Sequence, residues 1–434
     1  MKARILVIIT FIFATLFVQA QEKPAKWDLS TCIDYALANN IQIQKAKISQ
    51  ESNQITTQQA KAQLLPNLSA SISQNAGYSP AGSLGTYTGN YGISSSMILF
   101  DGGKTLKNIE QQKLQEEIGK YSIIASEKSI QTSILQIYTK ILYANEAVKV
   151  YEETVKASEY QFNRGKDLLS AGSISQSDLA QLESQLSSDK YQLVVAQNTH
   201  LSSLLELKQL LELNPGENIN IVIPELTNVN VLKPIGSLQS IYETALNVMP
   251  QIKSANADIK ISELETSKAK AAFLPKINLN GSASTGHTSV SADNYGSQLN
   301  NGLNAGVGVS VNIPIFTNRE NKSTLEKARL NEKTVKLEKL DTEKSLLKEI
   351  ESVYQDALSA QSQYVAAVEK VKALQTSYNL IEQQYNLGMK NTLELLTEKN
   401  NLLSAKQSMM QAKYLSIVDV QILNLYQDIP VEIK

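Results

Sequence analysis

The side chains able to do chemistry are few and far apart. The two histidines, His200 in a helical segment and His287 in a strand-tip loop, have no ligand partners at metal-binding spacing. Cys32 is the single cysteine, so no disulfide can form within the chain, and a buried, neutral thiol is expected. "DGGK" at Asp101 lacks the spacing and the hydroxyl of a phosphate loop; it reads as a turn into a helix whose N-terminus Asp101 can cap. No nucleophile elbow occurs. Lys plus Arg number 41 against 42 Asp plus Glu, so no basic footprint points to nucleic acid. These residues predict no catalytic, cofactor-binding or metal site and no nucleic-acid partner.

What the chain does carry is pattern. Lys2 and Arg4 precede an apolar run that ends in "VQA" at Ala20, which predicts a secretory signal peptide over 1–20 and a mature chain from near Gln21. The rest repeats itself. "LSTCIDYALANNIQIQ" from Leu29 matches "LQSIYETALNVMPQIK" from Leu238, an offset of 209 that also relates "AKAQLLPNLSAS" to "AKAAFLPKINLN". The offset then becomes 216, relating "MILFDGGK" from Met97 to "IPIFTNRE" from Ile313 and Gly172 to Gly388. The seven extra residues fall in a hairpin loop between Gly286 and Asn301. Two structural repeats follow, over 21–213 and 237–427, joined by an equatorial connection over 214–236 and followed by a tail over 428–434. Ile219, Ile221 and Ile223 alternate within the connection, which suggests a belt of short strands.

Each repeat contains two segments of period two, about 67–78 and 87–100, then about 276–286 and 303–316. In the last, Val307, Val309 and Val311 share an apolar face, opposite Gly306, Gly308, Ser310 and Asn312. Each segment is long enough for a tilted strand to cross a bilayer, and its polar face of Ser, Asn and Gly suits a water-filled lumen. A soluble half-buried sheet would alternate in the same way. Long helices are predicted over about 104–164 and 319–386, with tip turns at 165–175 and 386–392. Ile134, Ile141, Val148, Val155 and Phe162 recur every seven residues, as do Ile350, Ala357, Tyr364, Val371 and Tyr378. A helix of this length runs about 90 Å. Four strands cannot close a barrel in lipid, so several chains must contribute strands.

The duplicated order, the Leu-Pro before each first strand, "LFDGG" after the second, and the Gly-x5-Asp/Glu-Leu turns resemble those of the TolC-like outer-membrane efflux proteins. The resemblance implies a homotrimer of mixed fold. A long α-helical coiled-coil barrel in the periplasm would join a transmembrane β-barrel built from four strands per protomer. It implies a passive duct in the outer membrane of a Gram-negative bacterium, in contact with outer-membrane lipid and served by a periplasmic adaptor protein and an inner-membrane transporter. It places a gate at Asp178, Tyr385, Lys390 and Glu394 and adaptor-docking tips at Gly172 and Gly388, with Val307, Val309 and Val311 facing lipid. Lys390 and Asp178 would form an ion pair where neighbouring tips meet. Without the resemblance the four gate positions read as ordinary helix-surface polarity. The competing reading is an exported coiled-coil scaffold or adhesin with a soluble β head.

Overall fold

The computed structural model describes residues 26–79 and 83–433. The signal-peptide expectation falls outside them. Helices α1 (Leu29–Asn39) and α2 (Ile41–Ala62) lead into β1 (Asn67–Ser79) and β2 (Ser83–Phe100), then into α3 (Lys104–Ser170) and α4 (Gln176–Leu210). A four-residue helix, α5 (Asn228–Val231), precedes the second copy. That copy comprises α6 (Leu238–Val248), α7 (Pro250–Ala271), β3 (Lys276–Thr288), α8 (Tyr295–Asn301), β4 (Asn304–Asn312), α9 (Glu320–Asn386) and α10 (Thr392–Tyr426). Corresponding helices of the two copies have identical lengths of 11, 22, 67 and 35 residues. The extra helix α8 occupies the loop that carries the insertion.

The four strands form one antiparallel sheet in the order β1-β2-β3-β4, so the copies meet at the central β2–β3 pair. The register brings Ile72, Tyr91 and Thr285 to one face, and Leu279 with Val309 to that same face. The opposite face aligns Ser69, Ser94, Ser282 and Gly306, and no Asp, Glu, Lys or Arg stands on it beyond Lys276 at its end.

Several boundaries differ from the sequence expectation. β2 begins at Ser83, four residues early, and β4 stops at Asn312, because Pro314 removes a backbone donor. His287 lies within β3, packed over Gly89, where its imidazole leaves no room for a Cβ. The helix α3 continues to Ser170, through Gly165, where the Leu182 side chain of α4 leaves no room for a Cβ. No belt strand forms over 219–223. Ile221 makes one isolated bridge to Trp27, and Tyr138 holds the Val222 carbonyl at 2.6 Å. Ile219 and Ile221 drop into the equatorial core instead, while Ile223 stays exposed. Cys32 is fully buried there, and desolvation pushes its thiol up to about 12.

Beside the sheet the helices form a layer in the order α2–α3–α7–α9. The outermost helices carry two seams each. In α2, Ile43, Gln50 and Thr57 recur every seven residues and are buried, whereas Ile41, Ile48 and Ile55 repeat with the same spacing and are exposed. In α9, Ile350, Ala357 and Tyr364 are buried while Leu330 and Leu337, and Leu358 and Val365, are exposed. Toward the tips α4 takes the outer place of α2, and it exposes Tyr191, Val194, Leu201 and Leu205. Each protomer is thus an open sheet of strands continued by an open sheet of helices.

The junction between them is made by two left-handed residues. Gly102 and Gly103 have φ of 72° and 79°, and in the second copy Asn318 and Arg319 adopt the same conformation at 48° and 68°. Asp101 then accepts from the Thr105 amide at 2.8 Å, capping α3 as its sequence suggests. Gly102 is constrained twice, since a Cβ there would lie 2.9 Å from the Ala271 carbonyl oxygen. Gly103 has open space around it. Gly103→Ala should therefore cost only the left-handed penalty of about 1–2 kcal/mol, and Gly102→Ala more. Thermal melting of the two variants checks that order.

Candidate functional site: the helical tips

Both helical hairpins end in the same device. Gly172 and Gly388 have φ of 72° and 74° with nothing near a would-be Cβ, so backbone conformation and not space requires glycine. Ser173 donates to the Leu168 carbonyl and Met389 to that of Gln384, both at 2.8 Å, closing the last turn of each long helix. The next helix opens with a capping box: Ser175 with Asp178 in one hairpin, Asn391 with Glu394 in the other. Asp178 and Glu394 are equivalent positions at the 216 offset, and each carboxylate first serves its own helix. Asp178 accepts from Ser175 at 2.6 Å, and that bond holds its carboxyl below the usual range.

The four gate positions fall into two pairs, Tyr385 beside the charge of Asp178 and Lys390 with Glu394. Tyr385 is buried among Tyr378, Leu395 and Leu402 with its hydroxyl unpaired, and the Thr392 hydroxyl beside it is also unpaired. Desolvation raises the Tyr385 pKa; the Thr392 hydroxyl opposes the shift without completing a hydrogen bond, and the charge of Asp178 adds to it. Lys390 lies in the tip turn, just ahead of the Asn391 cap of α10. Within the protomer it meets Glu394, the capping carboxylate in the first turn of α10, at 2.5 Å, and this pair holds the Glu394 carboxyl below its usual range. The ion pair expected between Lys390 and Asp178 belongs to the meeting of neighbouring tips.

Sequence reading missed the group that binds the two hairpins together. Above the tips, Lys399 of α10 meets Asp189 of α4 at 2.6 Å with both side chains almost fully buried, 6% and 3% exposed. Ser158 of α3 bonds to both, and Gln185 donates to the other Asp189 oxygen at 2.9 Å. Desolvation lowers the Lys399 pKa and Asp189 counters it. Further bonds join α3 to the second hairpin: Gln161 to Tyr378 at 2.7 Å, Gln407 to Tyr151, and Glu146 to Lys413 at 2.8 Å. A signal existed. Lys399 interrupts the apolar row Leu395, Leu402 and Ala405 on α10, a position where a lone charge needs a buried partner. Removing one partner, as in Lys399→Met, should destabilise the hairpins by about 3–5 kcal/mol, whereas the double variant Lys399→Met/Asp189→Leu should recover most of that loss. Chemical denaturation of the three proteins measures it.

No group of His, Cys, Asp and Glu suited to a metal occurs among the described residues, and none of their helices is long and apolar enough to cross a membrane. Comparison with known proteins bears on both halves of the chain. The family described as outer membrane efflux protein matches residues 32–212 and 241–424. An outer membrane efflux protein of Brucella suis, BepC, is 22% identical over 82% of this chain and 75% of its own length. The TolC protein of Escherichia coli is 21% identical over 87% and 78%. Among solved structures, CusC superposes with a TM-score of 0.80 at 20% identity over 92% of this chain and 91% of its own. The CmeC channel of Campylobacter jejuni does so at 0.77 and 21% over 92% and 86%. Repeat for repeat, in sequence and in fold, the chain belongs to the outer membrane efflux protein family, the TolC-like channels of the Gram-negative outer membrane.

Proposed function

We propose that three copies close into one passive duct, in which the protein performs no chemistry and an inner-membrane transporter and periplasmic adaptor supply cargo and energy. The observation that carries this is the double set of open edges. β1 and β4 each lack a neighbour on one side, and the outermost helices expose apolar rows at heptad spacing. A lipid-exposed sheet edge leaves a row of backbone donors and acceptors unsatisfied, so β4 must pair with β1 of another copy. The helical edges then meet in register with the strands, which gives twelve strands above twelve helices.

Val307, Val309 and Val311, exposed at 82%, 60% and 57%, face lipid, and the Ser, Asn and Gly face lines the lumen. The tips at Gly172 and Gly388 dock the adaptor. Asp178, Tyr385, Lys390 and Glu394 form the gate, in which a closed trimer gives the buried Tyr385 hydroxyl the partner it lacks in one protomer. Glu394 rings the entrance and favours cations. The scaffold reading has less support, because a soluble β head would not leave Leu68, Ile72, Val307 and Val309 exposed together on one face.

Val309→Arg should cost about 2–4 kcal/mol in the membrane and abolish assembly, while Ser310→Arg assembles. Heat-modifiable migration of the two variants reads the result, and the opposite outcome would reverse the faces. Tyr385→Phe separates two roles for the tip. If its hydroxyl links neighbours, the variant should conduct more in planar bilayers with the trimer intact, and Lys390→Ser should add to the effect. A variant with unchanged conductance and greater stability, gained by deleting an unpaired buried hydroxyl, places the closure elsewhere.

A further inference from the structure

Where the sheet meets the helices, a cavity of about 540 Å³ opens among the ends of α3, α7 and α9 and the bases of β3 and β4. Its lining includes Lys104, Lys268 and Lys276, with Asn108, Asn312 and Asn321 around them. Three features make this a built place. Lys276 is the one Lys, Arg, Asp or Glu in the four strands, and it stands at the end of the Ser, Asn and Gly face, paired in register with Asn312. Lys104 is the first residue of α3, set beside α7 by the Gly102 turn, whose close approach to Ala271 admits no side chain. Neither lysine has a carboxylate within ion-pair distance among the described residues, although Asp101 lines the same cavity; its carboxylate is engaged by Thr105. Lys268, by contrast, is neutralised by Glu265 at 3.0 Å.

The duplication sharpens the point. At the 216 offset the counterpart of Lys104 is Glu320, and at 209 the counterpart of Lys276 is Asn67, so the basic pair belongs to the middle of the protomer and not to the repeated plan. A structural need common to both strand-to-helix junctions would have left the same residues in both copies. Two ammonium groups without a paired carboxylate and several amide side chains line one cavity whose remaining wall is apolar, with Ile98, Leu274 and Pro314.

We propose that this cavity is an anion-accepting site on the lumenal wall, where the barrel opens into the helical tunnel. It would take the phosphate, sulfonate or carboxylate group of passing cargo, with the apolar wall receiving the body of the molecule. Three copies would form a basic ring at this level, opposite in sign to the acidic residues at the tips. The site rests on the duct reading, because its lumenal position follows from assigning the polar sheet face to the lumen.

The probe is inorganic tripolyphosphate, added to the purified trimer in a planar bilayer of phosphatidylcholine. The wild-type current should fall as the probe is added. In Lys104→Gln/Lys276→Gln the half-blocking concentration should rise by about tenfold or more, with trimer stability and unblocked conductance retained. Lys333→Gln, on the exposed face of α9, should block like wild type. Equal block of the double variant and wild type overturns the site while leaving the duct intact. Phospholipid retained by the wild-type trimer in native mass spectrometry and lost from the double variant, with no block by tripolyphosphate, assigns the cavity to a lipid headgroup and also overturns it. A reconstituted trimer that passes no current at all removes the duct reading, and the site with it.

Discussion

An unpaired strand edge cannot face hydrocarbon, and that single constraint organises the whole molecule. Each backbone amide or carbonyl left without a partner in lipid costs several kcal/mol, so a four-stranded sheet with an outward apolar face has no stable existence as one copy. The proposed trimer is the smallest arrangement the family fold offers that leaves no edge. The helices inherit the same problem in milder form. In water an open helical edge exposes apolar seams and not orphaned hydrogen bonds, and Ile41, Ile48 and Ile55 on one side with Leu330 and Leu337 on the other are such seams. Strands and helices are joined by left-handed turns at Gly102–Gly103 and Asn318–Arg319, so in the proposed trimer the sheet and the helical wall would close together.

The far end obeys a different physics. The tips have no membrane to satisfy and are built from capped helix ends, with Asp178 and Glu394 both serving as capping carboxylates. What is held apart from water there is a small set of polar groups: the Tyr385 and Thr392 hydroxyls without partners, and above them the buried Lys399–Asp189 pair. A buried ion pair specifies geometry more than it stabilises, because desolvation offsets most of its attraction. Its location, between α4 and α10, fixes the two hairpins of a protomer to each other just above the part of the tunnel that a gate would move. In the proposed gate, an unpaired buried hydroxyl at the tip and a fully satisfied ion pair above it would divide the hairpins into a poised region and an anchored one.

Much of this was legible in the sequence because it rests on periodicity. The period of two in "LNAGVGVSVNIPIF" and the sevenfold spacing of Ile134, Ile141 and Val148 reflect faces that must be apolar over long distances, and such faces survive in any single sequence. The 216 offset exposed the duplication directly. Where the reading went astray, a local interaction outweighed the pattern. Ile219, Ile221 and Ile223 alternate, yet the first two are drawn into the equatorial core beside Trp27 and no strand forms. The Lys399–Asp189 pair and the basic cavity at the junction were invisible because each joins residues far apart in the chain, Asp189 to Lys399 and Lys104 to Lys276. No short spacing records such a meeting; only the charge of Lys399 in an apolar row hinted at it.

The proposed duct depends on edge-to-edge closure. The most direct test is single-particle imaging of the full chain extracted in detergent, at a resolution that traces strands. Threefold particles in which β4 of each protomer pairs with β1 of the next, with Val309 on the outer surface and a continuous lumen from barrel to tips, are the expected result. Monomeric particles, or an oligomer joined through any surface that leaves the β1 and β4 edges unpaired, would contradict it.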